Sequence, residues 1–172
     1  PLKNPVNDAA DMAAALKGIG FDVALHRNAG HQAMEDAIRE FGRKLRKHRG
    51  VGLFYYAGHG VQIRGVNYLI PVGASVEKET DVKFQAVNAD MVLAEMENAE
   101  NGMNIVLLDA CRDNPFGRTF RSATRGLAII SAAPTGTFIS YSTGANQLAR
   151  DGKGRNSPYT KALLDNIAKP GL

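Results

Sequence analysis

The sequence contains one cysteine, Cys111, in 172 residues. A single thiol excludes a disulfide within the chain and any cysteine-rich metal site, so the redox compartment stays undetermined. No apolar run approaches the ~20 residues that a membrane-spanning helix needs. No secretory signal is visible, but the pattern opens abruptly at Pro1, so the localisation, cytoplasmic or exported, is left unknown.

What is present is typical of a folded domain. Hydrophobic residues make up 44% of the chain and charged residues 22%, which are ordinary values for a globular protein. The length suits one domain with a substantial core, and no internal repeat or low-complexity tract divides it. We therefore expect a single domain over residues 1–172.

The net charge of +4 raises the question of nucleic-acid binding. Much of the positive charge lies in residues 39–49, where it alternates with Ile38, Phe41 and Leu45 at helical spacing. This pattern favours the solvated face of an amphipathic helix. A nucleic-acid-binding domain remains an alternative that rests on charge alone, and no nucleic-acid partner is expected.

Apolar periodicity and turn residues predict strands that alternate with helices. Helices are expected over 9–20 after a cap at Asn7 or Asp8, over His31–His48, over 88–98 after a cap at Asn88, and over 156–170 after a cap at Asn156 or Ser157. Strands are expected over 21–28, 50–60, 66–74, 103–110 and 136–143. The alternation predicts an α/β fold with a mainly parallel sheet.

The first predicted helix has no strand before it. A helix in such a fold normally follows a strand of the sheet. We therefore expect the domain to lack its first strand in this sequence, and the natural protein to continue upstream of Pro1 and beyond Leu172.

Two strands end in reactive residues. The run "LFYYAGHG" delivers His59 and "IVLLDAC" delivers Cys111, and ligands of parallel sheets bind beyond the carboxyl ends of strands. A thiolate with a neighbouring imidazole can perform nucleophilic acyl transfer. Gly58 and Gly60 allow close approach of a substrate, and the N–H groups of Gly60 and Cys111 can form an oxyanion hole.

Less specific interpretations of these residues stay open. A cysteine after an apolar strand is often inert core, and a histidine between glycines can simply complete a turn. The other histidines, His26, His31 and His48, have no partner motif, and they are interpreted as structural or solvent-exposed.

"YYAGHG" followed by "LLDACRD" resembles the caspase-like cysteine peptidases of clan CD, in particular their bacterial metacaspase branch. His59 precedes Cys111 by 52 positions, close to the spacing of the caspase signature. "PLKNPVNDA" is similar to the segment after the first strand of that family, and "GRNSPYTKALL" to its closing helix. The resemblance implies a three-layer sandwich with a mainly parallel central sheet and helices on both faces.

The resemblance also suggests a substrate preference. Asp109 stands where caspases carry Gln, and metacaspases place there an Asp that lines the first specificity pocket. Carried over, Asp109 would select Arg or Lys before the cleaved bond, since a carboxylate pairs well with either. Alternatively, Asp109 braces the active-site loop through backbone N–H groups. Asp113 departs from the Gly of caspases and is given no catalytic role, and Ala57 replaces a frequent Ser.

Further substrate contacts are expected after the last strand. Residues 142–156 resemble the loop that borders the substrate cleft, where Ser142 and Asn146 would bind an extended peptide and Asp151 would be a second acid. The alternative is an ordinary glycine-rich loop that is exposed to solvent and binds no substrate. The segment Asn114–Thr137 is predicted to be a long loop, with self-cleavage expected after Arg118, Arg121 or Arg125.

The sequence thus predicts a thiol endopeptidase acting on peptide or protein substrates, with Cys111 as nucleophile and His59 as general acid/base. The chemistry requires no cofactor and no metal, and no calcium-loop spacing is present, so calcium activation is left open. The alternative is a non-catalytic caspase-like module of a larger regulatory protein. The sequence leaves the oligomeric state unknown.

Overall fold

The computed structural model describes residues 2–111, 127–130, 133–142 and 152–169, with the backbone alone at Cys111. The elements are, in chain order, α1 (Pro5–Gly18), α2 (His31–His48), β1 (Gly52–Ile63), β2 (Val66–Ile70), α3 (Glu79–Gln85), β3 (Val87–Asn88), α4 (Asp90–Ala99), β4 (Asn104–Cys111), β5 (Thr137–Tyr141) and α5 (Pro158–Leu164). None of the helices in these ranges is long and apolar enough to cross a membrane.

The strands form one sheet in the order β3-β2-β1-β4-β5. β1 pairs in parallel with β4, and β4 pairs in parallel with β5. β2 pairs antiparallel with both β1 and β3. The α/β class is confirmed, and the sheet is mixed because its β2–β3 side is antiparallel.

β1 is longer than expected because it continues into a hairpin. Arg64 and Gly65 both have positive φ, at 52° and 84°. A two-residue loop of this conformation matches the right-handed twist of the strands that it joins. Ile63 therefore pairs with Val66, and the antiparallel ladder extends to His59 opposite Ile70.

Helices cover both faces of the sheet, as expected. On one face, α2 and α4 pack against β4 in a core that includes Ile38, Leu45, Val92, Met96, Val106, Leu108 and Ala110. On the other face lie α1, which contacts β1 and α5, and α5, whose Thr160 bonds to Tyr55 of β1 and Asp109 of β4. The three-layer arrangement is confirmed.

The predicted helix boundaries agree best with the structure where the helix has a clear apolar stripe. α2 spans the expected residues, and α5 begins as expected with Ser157 at its cap, whose Oγ accepts the Thr160 N–H at 2.9 Å. α1 starts earlier than predicted, at Pro5, so the expected cap at Asn7 or Asp8 is wrong. Proline at the first helical position needs no N–H partner, which permits the earlier start.

The expected strand over 21–28 is wrong. These residues belong to no helix or strand in the structure. Alternating apolar residues alone do not make a strand, because its backbone groups also need a paired neighbour. Conversely, α3 and β3 were not predicted, since α3 buries only Val82 and so shows no apolar stripe.

Candidate active site

His59 and Cys111 are paired across two neighbouring parallel strands. The β1–β4 register runs from Gly52 opposite Asn104 to His59 opposite Cys111, which is the last pair. Neighbouring strands lie about 4.8 Å apart, so the two backbones are side by side. The structure thus brings the two residues of the expected dyad together at the carboxyl edge of β4.

The backbone N–H of Gly60 is directed toward β4. Gly52 donates its N–H to Met103 O at 3.0 Å, on the β4 side of β1. Alternate residues of a strand direct their N–H groups to the same side, so Gly60 shares the direction of Gly52. Since β4 ends at the residue opposite His59, the Gly60 N–H lies beside the place where Cys111 ends the strand.

Gly60 is closely packed against the core. A Cβ at this position would lie 3.0 Å from both Ala110 Cβ and Leu127 Cδ2. Both neighbours belong to the main core and are buried. A larger residue would therefore crowd these two side chains next to His59.

The hydroxyl of Tyr56 holds the backbone where β1 changes partner. It lies 2.8 Å from His59 O and 3.1 Å from Ile70 O. These carbonyls belong to the residue pair at which the antiparallel ladder with β2 ends. The Tyr56 hydroxyl therefore links the backbone of β1 at His59 to the backbone of β2 at Ile70.

Asp109 lies two residues before Cys111, and therefore on the same face of β4. Its carboxylate is buried, with 6% of the residue exposed. Oδ2 accepts hydrogen bonds from Ser157 Oγ and, at 2.7 Å, from Thr160 Oγ1. Both donors belong to the start of α5, so α5 fixes the orientation of this carboxylate.

A second buried carboxylate, Asp8, shares one of these partners. Ser157 donates its backbone N–H to Asp8 Oδ1 at 3.0 Å while its hydroxyl donates to Asp109. Asp8 belongs to α1 and is 1% exposed. We call Asp8, Asp109 and Ser157 together the acidic cluster.

Tyr55 and Thr160 complete a hydrogen-bond chain that ends on Asp109. The Tyr55 and Thr160 hydroxyls are 2.5 Å apart. Thr160 has one hydroxyl proton and donates it to Asp109, so Tyr55 is the donor to Thr160. Burial is the main cause of a strongly raised pKa at Tyr55, and the charges of Asp109 and Asp8 raise it further, so the phenol stays protonated.

Tyr159 lines the same region and is also held protonated. Its hydroxyl donates to Ser140 Oγ at 2.8 Å, which joins α5 to β5. Burial raises the pKa of the phenol, and the charge of Asp109 adds to the effect. The phenols of Tyr55 and Tyr159, both close to Asp109, are therefore neutral.

The caspase-domain model of the Peptidase C14 family matches residues 1–172. The chain belongs to the caspase family. It is also 34% identical over 112 residues to the human mucosa-associated lymphoid tissue lymphoma translocation protein 1 and, to the same extent, to its mouse homologue. These matches cover 64% of the chain and 13% of each relative, so the chain spans a small part of their length.

Family membership establishes a cysteine-peptidase type of domain and confirms the resemblance to caspases. The bacterial metacaspase branch is not distinguished by these matches and stays a prediction. The catalytic activity and the specificity of this caspase domain also stay predictions.

Ser142 follows β5 at the same edge of the sheet as His59. Its N–H donates to Leu108 O at 3.0 Å, which extends the β5 ladder by one residue. Its Oγ is buried and has no hydrogen-bond partner among the described residues. The role of Ser142 in peptide binding stays a prediction.

The other expected site residues lie outside the described part of the chain. These are Asn146, Asp151 and the three self-cleavage candidates Arg118, Arg121 and Arg125. Within the described ranges, no group of three or more His, Cys, Asp or Glu side chains could hold a metal ion. Calcium activation is left as open as the sequence leaves it.

The structure adds candidate site residues that sequence reasoning missed. Asp8 and Ser157 were considered only as helix caps, and Tyr55 and Thr160 were considered only as parts of elements. A signal was present for Tyr55, which precedes His59 by an even number of residues and so shares its face of β1. For Asp8 and Thr160 no local signal exists, because their partners are distant in sequence.

Proposed function

We propose that this caspase domain is a cysteine endopeptidase that cleaves after Arg or Lys. The main support is the register that pairs His59 with Cys111 at the carboxyl edge of β4. Further support comes from the buried Asp109 on the same face of that strand. The family supplies the peptidase class, and these residues supply the finer prediction.

In the proposed reaction, the Cys111 thiolate forms a bond to the carbonyl carbon of the scissile peptide. The carbonyl electron pair moves to oxygen, and the N–H groups of Gly60 and Cys111 stabilise this oxyanion. His59 then protonates the leaving amine as the C–N bond breaks. A water molecule, deprotonated by His59, hydrolyses the thioester and regenerates the thiol.

The acidic cluster gives the proposed preference a physical reason. Asp8 and Asp109 are both buried, and Ser157 binds both. A carboxylate in this position favours a cationic side chain over a neutral or acidic one. Arg gains most, because its guanidinium can bind carboxylates through paired hydrogen bonds.

Fluorogenic peptides ending in Arg, Lys or Asp test the proposal. We expect turnover of the Arg and Lys peptides that disappears in Cys111→Ala. Asp109→Asn should lower kcat/KM on the Arg peptide by about 10- to 100-fold, the loss of a charge-assisted contact. Asp36→Asn, on the exposed surface of α2, is the charge-matched control and should leave kcat/KM unchanged. Silence across the panel would favour the non-catalytic module.

We also propose limited self-cleavage after Arg118, Arg121 or Arg125, which follows from the same specificity. Intact-mass spectrometry of the wild type should show fragments ending at one of these residues. Cys111→Ala should stay uncut under the same incubation. Equal masses for the two proteins after long incubation would exclude the idea.

A further inference from the structure

A short segment, residues 127–130, packs on the sheet close to the ends of β1 and β4. We call it the strap. Leu127 is buried in the main core, and the backbone groups of Ala128 and Ile130 bond to side chains of β2 and β5. The strap therefore joins strands that lie on both sides of the proposed dyad.

A single buried side chain, that of Asn67 in β2, binds both backbone groups of Ala128. Its Nδ2 donates to Ala128 O at 2.9 Å, and its Oδ1 accepts the Ala128 N–H at 2.7 Å. This exchange of two bonds is the one that a paired residue makes in a β ladder. Asn67 is 1% exposed, and its own carbonyl accepts the Ala89 N–H at 2.9 Å, so the backbone that carries this side chain is itself held.

Tyr141, the last residue of β5, holds the other end of the strap. Its hydroxyl accepts the Ile130 N–H at 3.0 Å. Both residues are partly buried against the main core. Side chains of β2 and β5 thus fix two of the four strap residues by hydrogen bonds.

Leu127 packs against the backbone that carries the dyad. Its Cδ2 lies 3.0 Å from the point that a Cβ on Gly60 would occupy, and Ala110 Cβ is equally close to that point. Gly60 follows His59 on β1, and Ala110 precedes Cys111 on β4. Leu127 therefore fills the space beside the strand ends on which both reactive residues are carried.

The strap supports these strands from the face opposite to the acidic cluster. Ala110 and Asp109 are adjacent in β4, so their side chains point to opposite faces. Ala110 lies with Leu127 in the core that α2 and α4 cover, whereas Asp109 bonds to α5. A change in the strap therefore alters the support of the dyad without a direct contact to the acidic cluster.

We propose that Asn67 is a positioning residue for the dyad and acts through the strap. It holds Ala128 so that Leu127 keeps the ends of β1 and β4 aligned for reaction, a role that rests on the proposed peptidase function. Rates depend steeply on the alignment of a nucleophile with its acid/base partner. The acidic cluster lies on the other face, so loss of Asn67 should lower kcat and leave KM unchanged.

Kinetics on the Arg peptide test this split. Asn67→Ala removes both bonds to Ala128, and we expect kcat to fall about 10- to 100-fold while KM stays within about 2-fold. Tyr141→Phe is a milder second variant, because it removes one bond to the strap and keeps the aromatic ring. Its kcat should fall about 3- to 10-fold.

Asn101→Ala is the matched control. Asn101 also donates its side-chain amide to backbone carbonyls, those of Gly50 and Met103, but at the amino edge of the sheet. It should leave kcat unchanged, although Tm falls. Equal losses of kcat in Asn67→Ala and Asn101→Ala would overturn the proposal, because loss of stability alone would then explain both. A rise in KM with kcat unchanged would overturn it as well.

Alkylation by iodoacetamide gives a readout that needs no turnover. Cys111 is the only cysteine, so one site is labelled. A neighbouring imidazole favours the reactive thiolate, so Asn67→Ala should slow alkylation at pH 7 by about 10-fold, and Asn101→Ala should not. If the wild type cleaves no peptide, the proposed function fails and this rate alone decides the positioning role. An equal or faster rate in Asn67→Ala would then overturn it.

Discussion

The hydrogen-bond chain from Tyr55 through Thr160 to Asp109 provides a sharp test of the structure. Thr160 is fully buried, and its hydroxyl both donates to Asp109 and accepts from Tyr55. Thr160→Val keeps the shape of the side chain and removes the hydroxyl. The substitution therefore removes one bond to a charged group and leaves the Tyr55 hydroxyl without its acceptor.

The size of the effect follows from these two losses. A hydrogen bond to a charged group contributes about 1.5–3 kcal/mol, and a stranded buried hydroxyl costs about 1–3 kcal/mol. We expect Thr160→Val to lower the free energy of unfolding by about 3–5 kcal/mol and Tm by roughly 10 °C. Domains of ordinary stability, about 5–15 kcal/mol, tolerate such a loss.

Urea denaturation of four variants checks the prediction. Thr160→Ser keeps the hydroxyl and is the matched control, with an expected cost of about 1 kcal/mol for the lost methyl group. Tyr55→Phe removes the stranded hydroxyl, so adding it to Thr160→Val should cost at least ~1 kcal/mol less than the sum of the single changes. Equal stability of Thr160→Val and Thr160→Ser, or strict additivity, would refute the reasoning.

Two further predictions concern the strand that carries His59. Gly60→Ala should lower the free energy of unfolding by about 1–3 kcal/mol in denaturant titrations, because its Cβ would crowd Ala110 and Leu127; an unchanged midpoint would contradict the close packing. The pKa of Tyr55 is raised in the folded state, so its contribution to stability is complete below pH ~10 and is lost as pH rises further. Between pH 10 and 12 we expect the wild type to lose up to about 1.4 kcal/mol per pH unit more than Tyr55→Phe, and parallel pH profiles for the two proteins would count against the burial of the phenol.

The sequence was sufficient to predict the elements that a clear local pattern defines. The apolar runs that end in His59 and Cys111 predicted two strands of one sheet, and the structure pairs them in register. The amphipathic stripe of residues 38–45 placed α2 correctly. In both cases a few neighbouring residues determine the element, so the prediction needs no distant contact.

The features that the sequence did not predict depend on residues that are far apart along the chain. Asp8 looked like a helix cap because its true partner, Ser157, is 149 residues away. The alternation over 21–28 indicated a strand, but these residues pair with none of the described strands. α3 is polar on most of its surface, and β3 has two residues, so neither leaves a periodic signal.

Because Ser157 belongs to the start of α5, the acidic cluster can assemble only after α5 has been synthesised. Ser157 connects residues 149 and 48 positions earlier, from α1 and β4 respectively. Until α5 leaves the ribosome, Asp8 and Asp109 lack the serine that joins them. A chain truncated before α5 would retain His59 and Cys111 but not the serine that links the two buried carboxyl groups.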